Sequence, residues 1–190
     1  MGCRAAQWDT TITLIAPPSV SLAAVPNGCQ SMSVNPSALV TYAGGTPTQY
    51  AWTFTGVNPD SSNLRSPTAI TYGPGTYSII ARAINVCATA SDTVNFIVIP
   101  APVIGAVVSP SNPNGCVPVD ISLQSRTQNA SSYTWSVLNS TNFSFVSGTN
   151  ANSENATVRF NDAGSYQIRL NVMGCRAAQW DTTITLIAPP

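Results

Sequence analysis

The strongest constraint on the fold of this chain is an exact internal repeat. Residues 1–18 read MGCRAAQWDTTITLIAPP, and residues 173–190 read the same eighteen letters. Chance does not give an identity of this length within 190 residues, so the chain holds slightly more than one period of a repeated sequence. We therefore expect a stretch of a longer tandem array, in which residues 1–18 end one module and residues 173–190 end an equivalent one.

The repeated stretch has the pattern of one strand of a β-hairpin. Residues 181–187 are rich in β-branched side chains and partly alternate, and prolines then end the pattern. Residues 164–172 alternate between apolar and polar and supply the first strand of that hairpin. The copy at 1–18 lacks this partner. We expect it to complete the last-strand position of a module outside this segment, either upstream in the same chain or in a neighbouring molecule.

Short strand patterns separated by glycine, proline and asparagine fill the rest of the chain, and no 3.6-residue apolar period is sustained. In the first half, strand patterns lie at 19–23, 38–42, 50–54, 68–72, 77–86 and 93–99. The second half repeats their order, and both 26–29 and 113–116 read PNGC. The sequence predicts an all-β chain of two tandem antiparallel β-sandwiches, 19–102 and 103–190, with residues 1–18 as the last strand of a preceding module.

Proline-rich segments separate the predicted modules at 16–19 and 99–103. Such linkers are semi-rigid, which favours modules that stack end to end. A tryptophan beside a hairpin tip is expected to pack on a neighbouring module. The residues expected at junctions between repeats are Cys3, Trp8, Pro17, Pro18, Pro100, Pro102 and Trp180.

Composition argues against catalysis and against nucleic acid as a partner. Charged residues make up only 7% of the chain, the net charge is zero, and neither histidine nor lysine occurs. Histidine bases, histidine metal ligands and lysine Schiff bases are therefore excluded. Asp60 is the best single carboxylate for calcium, but no Asp-x-Asp-x-Asp-Gly loop surrounds it. We expect no enzyme activity, no cofactor, no metal site and, lacking a long apolar run, no membrane span in this segment.

Both halves resemble the PKD domain through three short motifs that occur in the same order. In the first half these are Tyr50-Ala51-Trp52-Thr53-Phe54, Gly75-Thr76-Tyr77 and Asp92-Thr93. Their counterparts in the second half are Tyr133-Thr134-Trp135, Gly164-Ser165-Tyr166 and Asp181-Thr182. The aspartates of that family's Trp-Asp-Phe-Gly-Asp-Gly hallmark are absent here. The resemblance implies immunoglobulin-like sandwiches of the kind found in tandem-repeat surface adhesins of gliding bacteria.

Four aromatic residues are predicted to have structural roles in the sandwich cores. Trp52 and Trp135 lie in the middle of strand patterns with apolar neighbours, which favours core packing over stacking on carbohydrate. Tyr166 follows Asp162-Ala163-Gly164-Ser165, a context typical of a tyrosine corner, in which the hydroxyl ties the strand to the preceding loop. Tyr77 has the same relation to its glycine.

Five cysteines predict disulfides in an oxidising, extracellular compartment. Their spacing favours one bridge inside each module, Cys29–Cys87 and Cys116–Cys175, with separations of 58 and 59 residues. Topology favours a bridge between modules, Cys29–Cys175, because the two cysteines of one module should lie at opposite ends of the sandwich, about 25 Å apart. We favour the second scheme, in which Cys3, Cys87 and Cys116 pair beyond this segment.

These observations favour a structural repeat of a long extracellular bacterial adhesin or surface filament, which gives reach and stiffness for adhesion or gliding motility. A repeat of two modules would extend roughly 70–80 Å. Its partners would be neighbouring identical repeats and a surface polysaccharide or protein ligand. Two alternatives remain, a filament subunit that polymerises by donating residues 1–18, and an accessory binding module of a secreted enzyme.

Overall fold

The computed structural model describes residues 7–110 and 115–190. These residues form two compact units. The first comprises the described residues as far as Asn27 together with Ser31–Ile97, and the second comprises Gly28–Gln30 and Val98–Pro190. A short loop of the first half, residues 28–30, therefore belongs to the second unit. Strands make up almost all of the regular structure, which confirms the predicted all-β class.

The first unit is built from strands in three groups. In chain order its elements are β1 (Pro18–Leu22), β2 (Gly28–Cys29, whose residues cluster with the second unit), β3 (Met32–Val34), α1 (Pro36–Leu39), β4 (Val40–Gly44), β5 (Gln49–Phe54), β6 (Ser61–Ser62), β7 (Ile70–Tyr72), β8 (Gly75–Ile84) and β9 (Thr89–Ile99). Strand β1 pairs with β4, β3 pairs with β7, and the main sheet has the order β9-β8-β5-β6.

Alternating residues of β5 and β8 supply the core of the first unit. Trp52 and Phe54 of β5 are 2% and 1% exposed, and their rings stack with centroids 6.0 Å apart. Tyr72 of β7 is fully buried and lies edge-on to Tyr77 of β8 and Phe96 of β9, at 4.8 and 4.9 Å between ring centroids. The period of two along each strand thus directs every second side chain into the core.

The second unit is a two-sheet sandwich. Its remaining strands are β10 (Ala106–Pro110), β11 (Val119–Ser125), β12 (Ser132–Val137), β13 (Phe143–Val146), β14 (Asn155–Phe160), β15 (Gly164–Met173) and β16 (Ala177–Leu186). One sheet has the order β10-β11-β14-β13 and the other β12-β15-β16. The longest pairing joins β15 to β16, in a register from Gly164 opposite Leu186 to Met173 opposite Ala177.

The core of the second unit lies between its two sheets. Strand β11 contributes Ile121 and Leu123, each 1% exposed, and β15 contributes Ile168 and Leu170, which are fully buried. Trp135 of β12, at 2% exposure, is among the largest buried side chains in this cluster. Both strands alternate cleanly, as the sequence pattern requires of strands with one face on a core.

One predicted strand begins as a helix. The apolar pattern at 38–42 predicted a strand, but Pro36–Leu39 form one helical turn and the strand starts at Val40. The Asn35 side chain accepts a hydrogen bond from the Ser37 backbone N–H, and Pro36 occupies the first helical position. Asparagine as the cap and proline just inside it are helix-start signals, and they override the strand pattern locally.

Candidate functional site

The loop at residues 28–30 is positioned by a parallel pairing with the chain that leaves β9. Gly28 lies opposite Val98 and Cys29 opposite Ile99. The Gln30 backbone N–H then donates to the Ile99 carbonyl oxygen at 2.8 Å. We call residues 28–30 the cysteine loop. Its backbone hydrogen bonds fix the direction in which the Cys29 side chain leaves the chain.

A disulfide joins Cys29 of the cysteine loop to Cys175, with a Cα–Cα distance of 5.5 Å and a sequence separation of 146 residues. This is the pairing that the topological argument favours. The alternative pairs Cys29–Cys87 and Cys116–Cys175 are not formed, because each would need a cysteine that is already bonded elsewhere. Near-equal spacing was thus a misleading guide, since it ignored which end of a sandwich each cysteine occupies.

Cys175 is presented by the hairpin that joins β15 to β16. Gly174, just before it, packs so closely that a Cβ atom would lie 2.4 Å from the Asn129 carbonyl oxygen and 2.7 Å from Cγ of Pro102. Only glycine allows this approach. The Cys175 sulfur lies 3.6 Å from the carbonyl oxygens of Ile99 and Pro100. A disulfide sulfur has no hydrogen to donate, so these are packing contacts.

The second PNGC motif is placed in the same way as the first, as far as the described residues show. Cys116 forms a parallel bridge with Ile187, just after β16. The Val117 N–H donates to the Ile187 carbonyl oxygen at 3.0 Å, and the Ile187 N–H donates to the Gly115 carbonyl oxygen at 3.1 Å. Cys116 is half-buried. In both halves, therefore, the cysteine of the motif lies beside the end of a long strand.

Cys87 is exposed and has no disulfide partner among the described residues. Its thiol donates to the Ile15 carbonyl oxygen at 2.9 Å. The side-chain amide of Asn85 donates to the Ala16 carbonyl oxygen at 2.8 Å, and the Gly45 N–H donates to the Pro17 carbonyl oxygen at 2.9 Å. These bonds hold the backbone of residues 15–17 on the first unit. Cys3 lies outside the described residues.

Residues 7–17 belong to no strand, and the large apolar side chains among them are in water. Trp8 is 84% exposed, Ile12 78% and Leu14 90%. Strand β1 starts only at Pro18, which pairs with Gly44. Residues 7–17 are thus not an added strand of the first unit. Such a strand would have contradicted the prediction that this segment pairs with an outside partner.

The second copy of the repeated stretch lies in a different environment. Its residues 177–186 form β16, in which Trp180, Ile184 and Leu186 are on the inward side. Leu186 is 4% exposed, and Trp180 packs against the core of its own unit. The position of Trp180 on the inward side of the strand directs the indole to its own core. A contact of the remaining exposed part of Trp180 with a neighbouring module stays a prediction.

Both core tryptophans are anchored through their indole nitrogens. Trp52 Nε1–H donates to the Leu64 carbonyl oxygen at 3.0 Å, and Trp135 Nε1–H donates to the Ser153 carbonyl oxygen at 3.1 Å. Each bond ties the central ring to a loop and removes the cost of a buried, unpaired N–H. The two halves of the chain thus use the same device at matched positions.

The described ion pairs are exposed and lie between neighbouring strands. Arg159 binds Asp120 through two bonds of 2.7 and 2.8 Å, and Arg169 binds Asp181 at 2.7 and 3.0 Å. In each pair the hydrogen bond from the guanidinium is the main cause that holds the pKa of the carboxyl group below its usual value. At the position matched to Asp181, Asp92 instead accepts from the backbone N–H groups of Leu22 and Thr93, which lower its pKa.

No strong ligand site is evident in the described part of the chain. A depression of about 520 Å³ lies on the β12-β15-β16 sheet, lined among others by Thr134, Asn171, Met173 and Gln179, without a charged or aromatic side chain. Across residues 7–110 and 115–190 no three acidic or cysteine side chains group as metal ligands do. The Asp60 carboxylate accepts from the Ser61 hydroxyl at 3.0 Å.

None of the described helices has the length and apolarity needed to cross a bilayer.

Comparison with known proteins identifies the fold and not a family. No protein-family model matches the sequence, and no curated protein matches it. The N-terminal eight Ig domains of Down Syndrome Cell Adhesion Molecule match 90% of this chain at 12% identity and a TM-score of 0.53. A protocadherin gammaB7 cis-dimer structure matches 90% at 13% identity and 0.53, and an I-band fragment of titin matches 91% at 16% identity and 0.51.

This chain spans less than two thirds of each of those three structures, 27%, 48% and 66% of their lengths. At these identities the similarity shows the fold alone. The immunoglobulin-like architecture that the sequence predicted is confirmed.

Proposed function

We propose that this chain is a non-catalytic structural module of an extracellular bacterial adhesin of the PKD type. Sandwiches repeated in tandem give the adhesin reach and stiffness, as in the surface adhesins of gliding bacteria. The disulfide between Cys29 and Cys175 carries this proposal, because it bonds a loop from the first half of the chain to the last hairpin of the second unit. Disulfides persist in oxidising environments, which supports an extracellular location.

Neighbouring identical repeats are the proposed partners. With 7% charged residues and zero net charge, identical modules do not repel one another strongly. Binding of a polysaccharide or protein ligand at the tip of the adhesin would then be the task of other modules.

Small-angle X-ray scattering tests the stiffening role. In the wild type we expect a narrow distribution of interatomic distances. Cys29→Ser removes the bridge and is expected to broaden the distribution of interatomic distances. Cys87→Ser is the matched control, because Cys87 is exposed and has no disulfide partner among the described residues. Identical scattering from all three proteins would contradict the proposal.

A second candidate function is a filament subunit that assembles through residues 1–18. The exposure of Trp8, Ile12 and Leu14 favours it, since a segment that can form a strand and has exposed apolar side chains is a template for pairing. Sedimentation analysis over a range of concentrations distinguishes the two candidates: a subunit that polymerises unaided forms large species, whereas a module of a continuous array stays monomeric.

A further inference from the structure

The repeat places one sequence in two environments within a single chain. Leu14 and Leu186 are the same position of the repeat, yet they are 90% and 4% exposed. The difference cannot come from the eighteen residues themselves. It comes from the neighbouring strand, because β16 pairs with β15 along its whole length while residues 7–17 pair with no strand.

The exposed copy has the complete apolar face of a last strand. Trp8, Ile12 and Leu14 correspond to Trp180, Ile184 and Leu186, the side chains of β16 that face the core of the second unit. In the first copy all three are more than three-quarters exposed. Residues 7–14 therefore carry the side-chain pattern of a strand that pairs with β15 and packs on the core of the second unit.

We propose that residues 7–14 bind a second copy of segment 103–172 as its last strand, with Leu14 seated where Leu186 lies in this chain. This deepens the proposed structural role, on which it rests, by naming the surface through which adjacent repeats interlock. The binding site is the position of the last strand in a second sandwich whose own β16 is not in place. The second copy supplies the β15 edge and the core that residues 7–14 lack here.

The β15–β16 register fixes the contacts of the proposed complex. Leu186 lies opposite Gly164, Trp180 opposite Leu170 and Asp181 opposite Arg169. The same register places Leu14 opposite the second copy's Gly164 and Asp9 opposite its Arg169. Asp9 then takes over the two-bond contact that Asp181 makes with the guanidinium at 2.7 and 3.0 Å. Charge as well as apolar shape therefore matches.

Competition from the attached strand explains why this chain should remain monomeric on its own. Residues 177–186 already occupy the site and are held beside it by a hairpin turn. A strand tethered by a short link has an effective concentration of about 1 mM or more. At 10 µM protein the attached copy therefore prevails about 100-fold over an identical strand from another molecule. The site opens to residues 7–14 only when the attached strand is impaired.

Paired substitutions in the full-length chain test the proposal. Leu186→Asp places a charge in a buried site and impairs the attached strand, while Leu14 in the other copy stays intact. We expect L186D to form head-to-tail oligomers whose fraction rises with concentration from 1 to 100 µM in sedimentation velocity. L14D and the wild type should stay monomeric. The double variant L14D/L186D should be monomeric with an unfolded second unit, seen as the loss of the near-ultraviolet circular dichroism that Trp135 and Tyr166 contribute.

A synthetic peptide distinguishes a second unit that lacks only its last strand from one that cannot fold for another reason. Peptide 1–18 with Cys3→Ser, added to L14D/L186D, should bind one to one and restore the second unit, whereas the same peptide with Leu14→Asp should not. The proposal is overturned if L186D behaves like the double variant and the peptide does not rescue it. It is equally overturned if oligomers persist in L14D/L186D, or if L186D stays monomeric and folded. Cys29 and Cys175 are untouched, so failure here leaves the stiffness test of the bridge unaffected.

Discussion

The hydroxyl of Tyr166 donates a 2.8 Å hydrogen bond to the carbonyl oxygen of Asp162. The bond spans four residues and ties the start of β15 to the loop before it, which is the geometry of a tyrosine corner. Tyr77, at the matched position of the first unit, makes a weaker version, with 3.4 Å between its hydroxyl and the Pro74 carbonyl oxygen. The same corner is therefore tight in one unit and loose in the other.

Tyr166→Phe should lower the free energy of unfolding of the second unit by about 0.5–1.5 kcal/mol, because one partly buried hydrogen bond is lost and nothing else changes in shape. Tyr77→Phe should lower the free energy of unfolding of the first unit by less than this. Tyr72→Phe is the matched control, since the Tyr72 hydroxyl is buried without a hydrogen-bond partner among the described residues. Burial raises the pKa of Tyr72 to about 12. Its replacement should be neutral or stabilising, as measured by urea denaturation.

Breaking the bridge between Cys29 and Cys175 should lower the free energy of unfolding by about 5 kcal/mol on the chain-entropy argument, because the bond closes a loop of 146 residues. Guanidinium denaturation of Cys175→Ser against the wild type measures this. Peptide mapping without reductant should recover the two half-cystines on one linked fragment. Recovery of Cys29 joined to Cys87 would refute the assignment.

Trp135→Ala should lower the free energy of unfolding by about 3–5 kcal/mol, because the side chain is 2% exposed and its removal leaves a cavity between the two sheets. Trp8→Ala is the control, since Trp8 is 84% exposed and its removal should change stability by no more than about 0.5 kcal/mol. Thermal unfolding followed by circular dichroism compares the two variants. Equal effects would mean that Trp8 is packed in solution.

Asp92 should make the first unit sensitive to acid. The N–H groups of Leu22 and Thr93 hydrogen-bond to its carboxylate, and they hold its pKa below the ordinary value of 3.8. The folded state thus binds a proton less readily than the unfolded state. The contribution is present above pH 3.8 and is lost as the pH falls through the folded pKa. Asp92→Asn should flatten the pH dependence of stability between pH 5 and 2 in urea titrations.

Strands could be predicted from the sequence where apolar and polar residues alternate between turn-forming residues. Trp52 and Trp135 each sit in the middle of such a pattern, and both are buried in the structure. The pairing of the cysteine loop could not be predicted in this way. Only two residues, Gly28 and Cys29, form its parallel pairing, and two residues are too few to show an alternating pattern. The placement of Cys29 came instead from a topological argument about sandwich ends.

Pattern alone could not decide whether the repeated stretch forms a strand. Its eighteen residues have one propensity, but they form β16 at the end of the chain and no strand at residues 7–17. A β-strand is stabilised by the pairing and packing of its neighbour, so local sequence sets only the capacity to pair. The inward placement of Trp180 was missed for the same reason, since it depends on register with β15.

The bond between Cys29 and Cys175 also determines how the chain bears tension. A pull applied upstream of Cys29 and downstream of Cys175 passes directly from one sulfur to the other, and the intervening chain carries no load. That chain covers a sequence separation of 146 residues, and each residue adds about 3.3–3.6 Å when drawn out. On the order of 500 Å of contour length is therefore locked away from extension for as long as the bond stays oxidised.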